Sequence, residues 1–120
     1  MKSTNLEDKM KTIHYKMNNH KQIKGSILIR DNGLYISSKL PSEKFENRKI
    51  SAHIATIFRH ISKKIQSDEA KICLENGINL YIKQIPHKNI LLTTITDNAS
   101  ISTLKRLMDR YSKEFYNIFS

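Results

Sequence analysis

The sequence predicts an α+β fold in the order α-β-β-α-β-β-β-α. The expected architecture is a five-stranded antiparallel sheet with the long middle helix on one face and the two terminal helices on the other. Three observations predict it. Ile27–Ile29 and Ile90–Leu92 are apolar at consecutive positions, so those strands need cover on both faces and belong at the sheet's centre. Two further segments alternate, Ile72/Leu74 against Lys71/Cys73/Glu75 and Ile78/Leu80/Ile82 against Asn79/Tyr81/Lys83, which suits the periphery. Three other stretches repeat apolar residues at three- and four-residue steps, the signature of helices with one buried stripe.

The first helix starts at Thr4-Asn5-Leu6-Glu7, a capping-box pattern that satisfies orphan backbone amides, and its stripe is Leu6, Met10, Ile13 and Met17. Ser26–Ile29 follows as a strand. Asp31-Asn32-Gly33 tolerates positive φ and so turns a hairpin into the return strand Leu34–Ser38, which Pro41 ends by lacking a backbone donor. The middle helix runs from about Phe45 to Gln66, with Ile50, Ile54, Ile57, Phe58, Ile61 and Ile65 on one face. Ser67-Asp68-Glu69 breaks it. The strands Lys71–Glu75 and Ile78–Ile85 are joined by Asn76-Gly77, a two-residue hairpin signal. Pro86-His87-Lys88 turns into the strand Asn89–Thr96, and Asp97 to Ser100 caps a last helix striped by Ile101, Leu104, Met108, Tyr111, Phe115 and Ile118.

Residues 1–120 read as one domain, with residues 1–4 expected to be flexible ahead of it. Its length suffices for a core without staples. No apolar run reaches the roughly 20 residues that span a bilayer, and the mixed-charge N-terminus does not resemble a signal peptide. One cysteine, Cys73, excludes an internal disulfide, and a reducing cytoplasm is the expected compartment. The net charge of +10 favours anionic partners, although its dispersal along the chain also suits a plain solvated surface.

Catalytic chemistry finds little support. Ser37 and Ser38 lack a nucleophile elbow, and Cys73, in mid-strand, reads as a packed structural residue. The histidines, His14, His20, His53, His60 and His87, include no pair at the helical zinc spacing. Two of the three glycines sit in hairpin turns, which leaves no phosphate-cradling loop. Neither cofactor nor metal is expected, and the chain reads as a non-enzyme.

Two surfaces invite partners instead. At about 100° per residue, the middle-helix face opposite the isoleucines carries Arg48, Ala52, Ala55, Thr56, Arg59 and Lys63, flanked by Lys49, His53, His60 and Lys64. Small residues among cations admit close approach by another chain. The strand Ala70, Lys71, Ile72, Cys73, Leu74, Glu75 would lie at a sheet edge, which pairs with other chains unless blocked. Antiparallel self-pairing centred on Cys73 would set each Lys71 opposite a Glu75 of the second copy.

The segment IKGSILIRDNGLYISSKLP, followed by a long helix, the hairpin KICLENGINLYIKQI, the strand NILLTTIT and a last helix, is similar to the roadblock domain. This is the family of the dynein roadblock light chains and of prokaryotic regulators of Ras-like GTPases. The resemblance runs from about Leu6 to Phe119. Its most specific parts are Gly25, Asp31-Asn32-Gly33 and Ser37-Ser38-Lys39-Leu40-Pro41. The full-length final helix looks most like prokaryotic, especially archaeal, members.

The resemblance implies a dimer, with itself or a paralogue, whose sheet is continuous and whose middle helices lie side by side. It also implies a small Ras-like GTPase as partner and no catalytic site of the chain's own. On that basis Ala70 to Glu75 with Ala52, Ala55 and Thr56 are expected at the dimer interface. Arg48, Lys49, His53, Arg59, His60, Lys63 and Lys64 are expected to meet the GTPase. The middle helix departs from the family in being bulkier and more basic than the Ala/Leu-rich helix of many members. Charge alone motivates a second reading, a basic nucleic-acid-binding module, and a third, attachment to a membrane surface.

Overall fold

In the computed structural model, residues 5–40, 47–65, 69–73, 78–86, 88–97 and 100–119 are described, with backbone alone for 47–49, 61–65, 78 and 97. The elements are α1 (Leu6–Asn18), β1 (Gly25–Arg30), β2 (Tyr35–Lys39), α2 (Asn47–Ile65), β3 (Glu69–Cys73), β4 (Ile78–Ile85), β5 (Ile90–Asp97) and α3 (Ile101–Phe119). The five strands form one antiparallel sheet in the order β2-β1-β5-β4-β3. The two strands with consecutive apolar residues, β1 and β5, lie side by side inside it, as their two-sided burial requires.

The pleat divides their side chains between two cores. Ile27, Ile29, Leu91 and Ile95 join Leu80 and Ile82 beneath Ile54, Ala55 and Phe58 of α2. Leu28 and Leu92 join Tyr81, Ile85 and Ile90 beneath Met10, Ile13 and Met17 of α1 and Leu104, Met108, Tyr111 and Phe115 of α3. The expected layering of helices is the one observed.

Several boundaries differ from expectation, each for a local reason. Asn5, not Thr4, caps α1: its side-chain oxygen accepts the Asp8 amide at 2.8 Å. Leu34 belongs to the first turn, where its carbonyl accepts from Arg30 and its amide donates to the Asn32 side chain. A bulge between Leu28 and Ile29 then resets the β1–β2 register. Glu69 opens β3 because it pairs with Lys83, whereas Leu74 and Glu75, like the Asn76-Gly77 turn, Pro41 and His87, lie outside the described residues. Asn89 turns at φ 55° rather than opening β5. Ile101 stands 57% exposed in the first turn of α3, beyond the reach of the sheet. Ser100 caps that helix through the Thr103 amide.

Candidate functional site: the α2 face and the β3 edge

Among the described helices α2 is the one that covers this side of the sheet, and its residues sort by angle. Ser51, Ile54, Ala55 and Phe58 are buried, Ile57 is half-buried, and Ala52, His53, Thr56, Arg59 and His60 are exposed. Ala55 is therefore a correction. At 1% exposure it is a core residue rather than part of the outer face.

Gly33 shows why small residues occupy this helix. The first-turn glycine, at φ +99°, comes so near that a Cβ built on it would stand 3.4 Å from the Ala52 Cα and 3.6 Å from the Ala55 Cβ. Ala52 and Ala55 thus make room for the chain's own β1–β2 turn. Nearby, an Arg59 guanidinium nitrogen reaches the Asp31 carbonyl at 3.5 Å, at a cleft of about 160 Å³ lined by Asp31, Ala55, Phe58, Arg59 and Gln84. The Thr56 hydroxyl donates back to the Ala52 carbonyl at 2.9 Å, so it is satisfied locally. Of the other cations expected to meet a partner, Arg48, Lys49, Lys63 and Lys64 lie on α2, with side chains outside the described residues.

β3 ends the sheet and pairs only with β4 among the described strands. Its apolar residues, Ala70 and Ile72, face the α2 core and are half-buried, as are Ile50 and Leu40 at the same fringe. Its other face carries Glu69, Lys71 and Cys73, the last two exposed. Cys73 is a second correction. An edge position opposite Asn79 leaves it open to solvent instead of packed.

Glu69 anchors this strand. Its Oε1 accepts from the Tyr81 hydroxyl at 3.0 Å and lies 3.3 Å from the Lys83 ammonium, which also reaches Asp109 of α3 at 3.2 Å. Burial pulls the Lys83 pKa down, but the hydrogen bonds it donates to Asp109 and Glu69 and their negative charges outweigh it, and the net shift is upward. The edge strand is thereby tied to α3 in a defined position.

Sequence reasoning missed a polar chain on the opposite face. His14, 1% exposed, sits 2.7 Å by Nδ1 from the Ser26 hydroxyl and 2.8 Å by Nε2 from the Ser37 hydroxyl. Asn18 donates to Ser26 at 2.9 Å, and the Ser37 hydroxyl points at the Met10 sulfur at 3.7 Å. One directed assignment satisfies all of these contacts. Asn18 donates to Ser26, Ser26 to Nδ1, Nε2–H to Ser37, and Ser37 to Met10.

The arrangement suits a neutral imidazole, and desolvation by burial lowers the His14 pKa to about 4. Serine, base and third group are in reach, yet the third group is a hydroxyl where an activated nucleophile's base has a carboxylate. A base so weakened draws little proton density from Ser26, the hydroxyl that donates to it. The signal in the sequence was His14's position on the α1 stripe, four residues after Met10 and three before Met17. Among the described residues no group of three or more His, Cys, Asp or Glu side chains is placed to hold a metal ion, and no described helix is long and apolar enough to cross a membrane.

No protein-family model and no curated protein matches the chain. Solved structures do. MglB of Myxococcus xanthus superposes with a TM-score of 0.82 at 18% identity, over 99% of this chain and 92% of that one. The gliding protein MglB of Thermus thermophilus gives 0.76 at 14%, over 98% and 93%. A Roadblock/LC7 domain from Streptomyces avermitilis gives 0.75 at 11%, over 90% and 95%. At these identities the likeness establishes the fold alone: the chain has the roadblock architecture.

Proposed function

We propose that this protein is a dimeric, non-enzymatic regulator or adaptor of a small Ras-like GTPase, acting in the cytoplasm. The observation that carries the reading is the junction of α2 with the β3 edge. An edge strand that pairs only with β4 among the described strands lies beside a half-buried apolar fringe of Ile50, Ile57, Ala70 and Ile72, in a fold shared with bacterial roadblock proteins. Pairing β3 with its counterpart in a second copy, itself or a paralogue, would extend the sheet and cover that fringe at once. A solved MglB is described in a tetrameric arrangement, which supports self-association in this architecture. The exposed α2 residues His53, Arg59 and His60, with the remaining helix cations, would then face the GTPase.

Light scattering tests the dimer: the reading expects twice the chain mass at tens of micromolar, and a monomer there overturns it. Mild oxidation tests the register, because antiparallel pairing centred on Cys73 brings two thiols together and should give a covalent dimer that Cys73→Ser abolishes. The GTPase reading is tested by co-elution with a Ras-like GTPase encoded beside the gene, in its GDP and GTP states. Binding in neither state removes it.

A further inference from the structure

A cavity of about 390 Å³ opens where the end of β4 meets α3, on the face of the sheet away from α2. Lys83 and Pro86 come from β4 and the turn after it. Asp109, Ser112, Lys113 and Tyr116 follow one another at i, i+3, i+4 and i+7 along α3, which brings them to one side of that helix. Pockets that take small molecules measure roughly 300–1,000 Å³ and are mostly apolar, with a few convergent polar groups. This cavity has both marks. Its surface is mainly apolar, and Ser112 turns its hydroxyl back to the Met108 carbonyl rather than into the opening.

Lys83 supplies the convergent polar group. Its side chain is 15% exposed, and its ammonium lies 3.2 Å from Asp109 and 3.3 Å from Glu69. An ammonium has three N–H donors, so two carboxylates leave one for an acceptor in the cavity that Lys83 lines. Cations outnumber acids around it. Lys113 stands exposed at the rim, the Lys88 ammonium lies 5.2 Å from the centre of the Tyr116 ring, and Lys105 comes within 3.9 Å of Glu69. Against these four lysines stand the carboxylates of Asp109 and Glu69, both already engaged by Lys83. A cationic ligand would therefore find the carboxylates taken and an ammonium already over the ring. An anion meets the opposite balance.

We propose that this cavity binds a small organic anion, a carboxylate carried on a flat apolar body. The carboxylate accepts a hydrogen bond from Lys83 and faces Lys113, while the body lies against Pro86 and the Tyr116 ring. Partial enclosure by apolar surface strengthens such a charged contact relative to open solvent. The site stands apart from the outer face of α2 and from the β3 ladder, so it goes beyond the GTPase-regulator reading and does not depend on it.

The test titrates the whole isotope-labelled protein with naphthoate, its neutral carboxamide and the matching naphthylmethylammonium, followed by amide shifts in NMR spectra. The expected result is saturable shifts confined to the cavity's stretches of β4 and α3. The carboxamide should bind roughly tenfold more weakly than the acid, and the ammonium more weakly still. Lys113→Glu should weaken the acid roughly fivefold and spare the carboxamide, whereas Arg106→Glu, an equal charge change at another exposed position of α3, should stay within about twofold. Tyr116→Ala should weaken acid and carboxamide alike, roughly fivefold. Lys83→Met would also unpair Glu69 and Asp109, so the variants at exposed positions carry the test.

Equal affinity for the acid and its carboxamide would show an apolar surface without charge recognition and overturn the proposal. Shifts scattered over other faces, or equal losses in Lys113→Glu and Arg106→Glu, would show undirected charge attraction and do the same. Absence of saturable binding at millimolar naphthoate also overturns it. None of these outcomes involves a GTPase, so this site and the regulator reading stand or fall separately.

Discussion

Among the described residues, the two faces of the sheet are covered to different degrees. On one, α1 and α3 lie together over β2, β1, β5 and β4, and thirteen buried residues from Met10 to Phe115 form a continuous core. On the other, among the described residues, nine buried residues form the core under α2, with a fringe of half-buried Leu40, Ile50, Ala70 and Ile72 toward the β3 edge. The first face even encloses a fully partnered histidine network. The first face supplies stability, whereas the second, beside a strand that pairs only with β4 among the described strands, is where the proposed dimer would add another chain.

The strongest way to break that comparison is to open the first face. Phe115→Ala removes a ring at 0% exposure that packs against the His14 imidazole, with centroids 5.2 Å apart. Urea unfolding should show a loss of about 3–5 kcal/mol. A loss below about 1 kcal/mol would mean that this core is not close-packed.

The same face should make stability depend on pH. The His14 pKa falls from 6.5 when unfolded to about 4 when folded, so the unfolded chain binds the proton more tightly. The stabilisation is complete above pH 6.5 and is lost as pH drops toward 4, by up to about 3 kcal/mol. Unfolding curves between pH 7 and pH 4 measure this slope, and His14→Gln should flatten it even if it destabilises at neutral pH.

Two smaller effects probe the second face. Gly33→Ala adds a Cβ at φ +99° against the Ala52 backbone, and the expected cost is about 1–2 kcal/mol. Ile72→Ala, at a half-buried fringe position, should alter the unfolding of the dilute monomer by about 1 kcal/mol or less while weakening self-association in sedimentation runs. If it destabilises the monomer as much as Phe115→Ala does, the β3 fringe belongs to the monomer core and the contrast between the faces collapses.

Much of the fold is legible in the sequence because periodicity and turn chemistry are local. The apolar runs at Ile27–Ile29 and Ile90–Leu92 placed two strands at the centre, and the alternation of β3 placed it at an edge. Asp31-Asn32-Gly33 marked the first turn, and the isoleucine stripe marked α2. The edge half of the candidate site was legible for the same reason. Its other half was read less well, since helical-wheel geometry assigns an angle without knowing what stands opposite it. Ala55 seemed to face outward because nothing in its neighbours announces the turn that Gly33 brings against the helix.

By itself, then, the sequence determined the order of the elements, which strands need double cover, and the concentration of positive charge on α2. These follow from residue type and spacing along the chain. Only the tertiary structure decided that Cys73 is open to solvent, that Ala52 and Ala55 serve the chain's own turn, and that His14 links Ser26 to Ser37. Each depends on which residues meet across elements far apart in sequence. His14 and Ser37 are 23 positions apart, and only the packing of α1 over β1 and β2 brings the ring between two hydroxyls, out of reach of water.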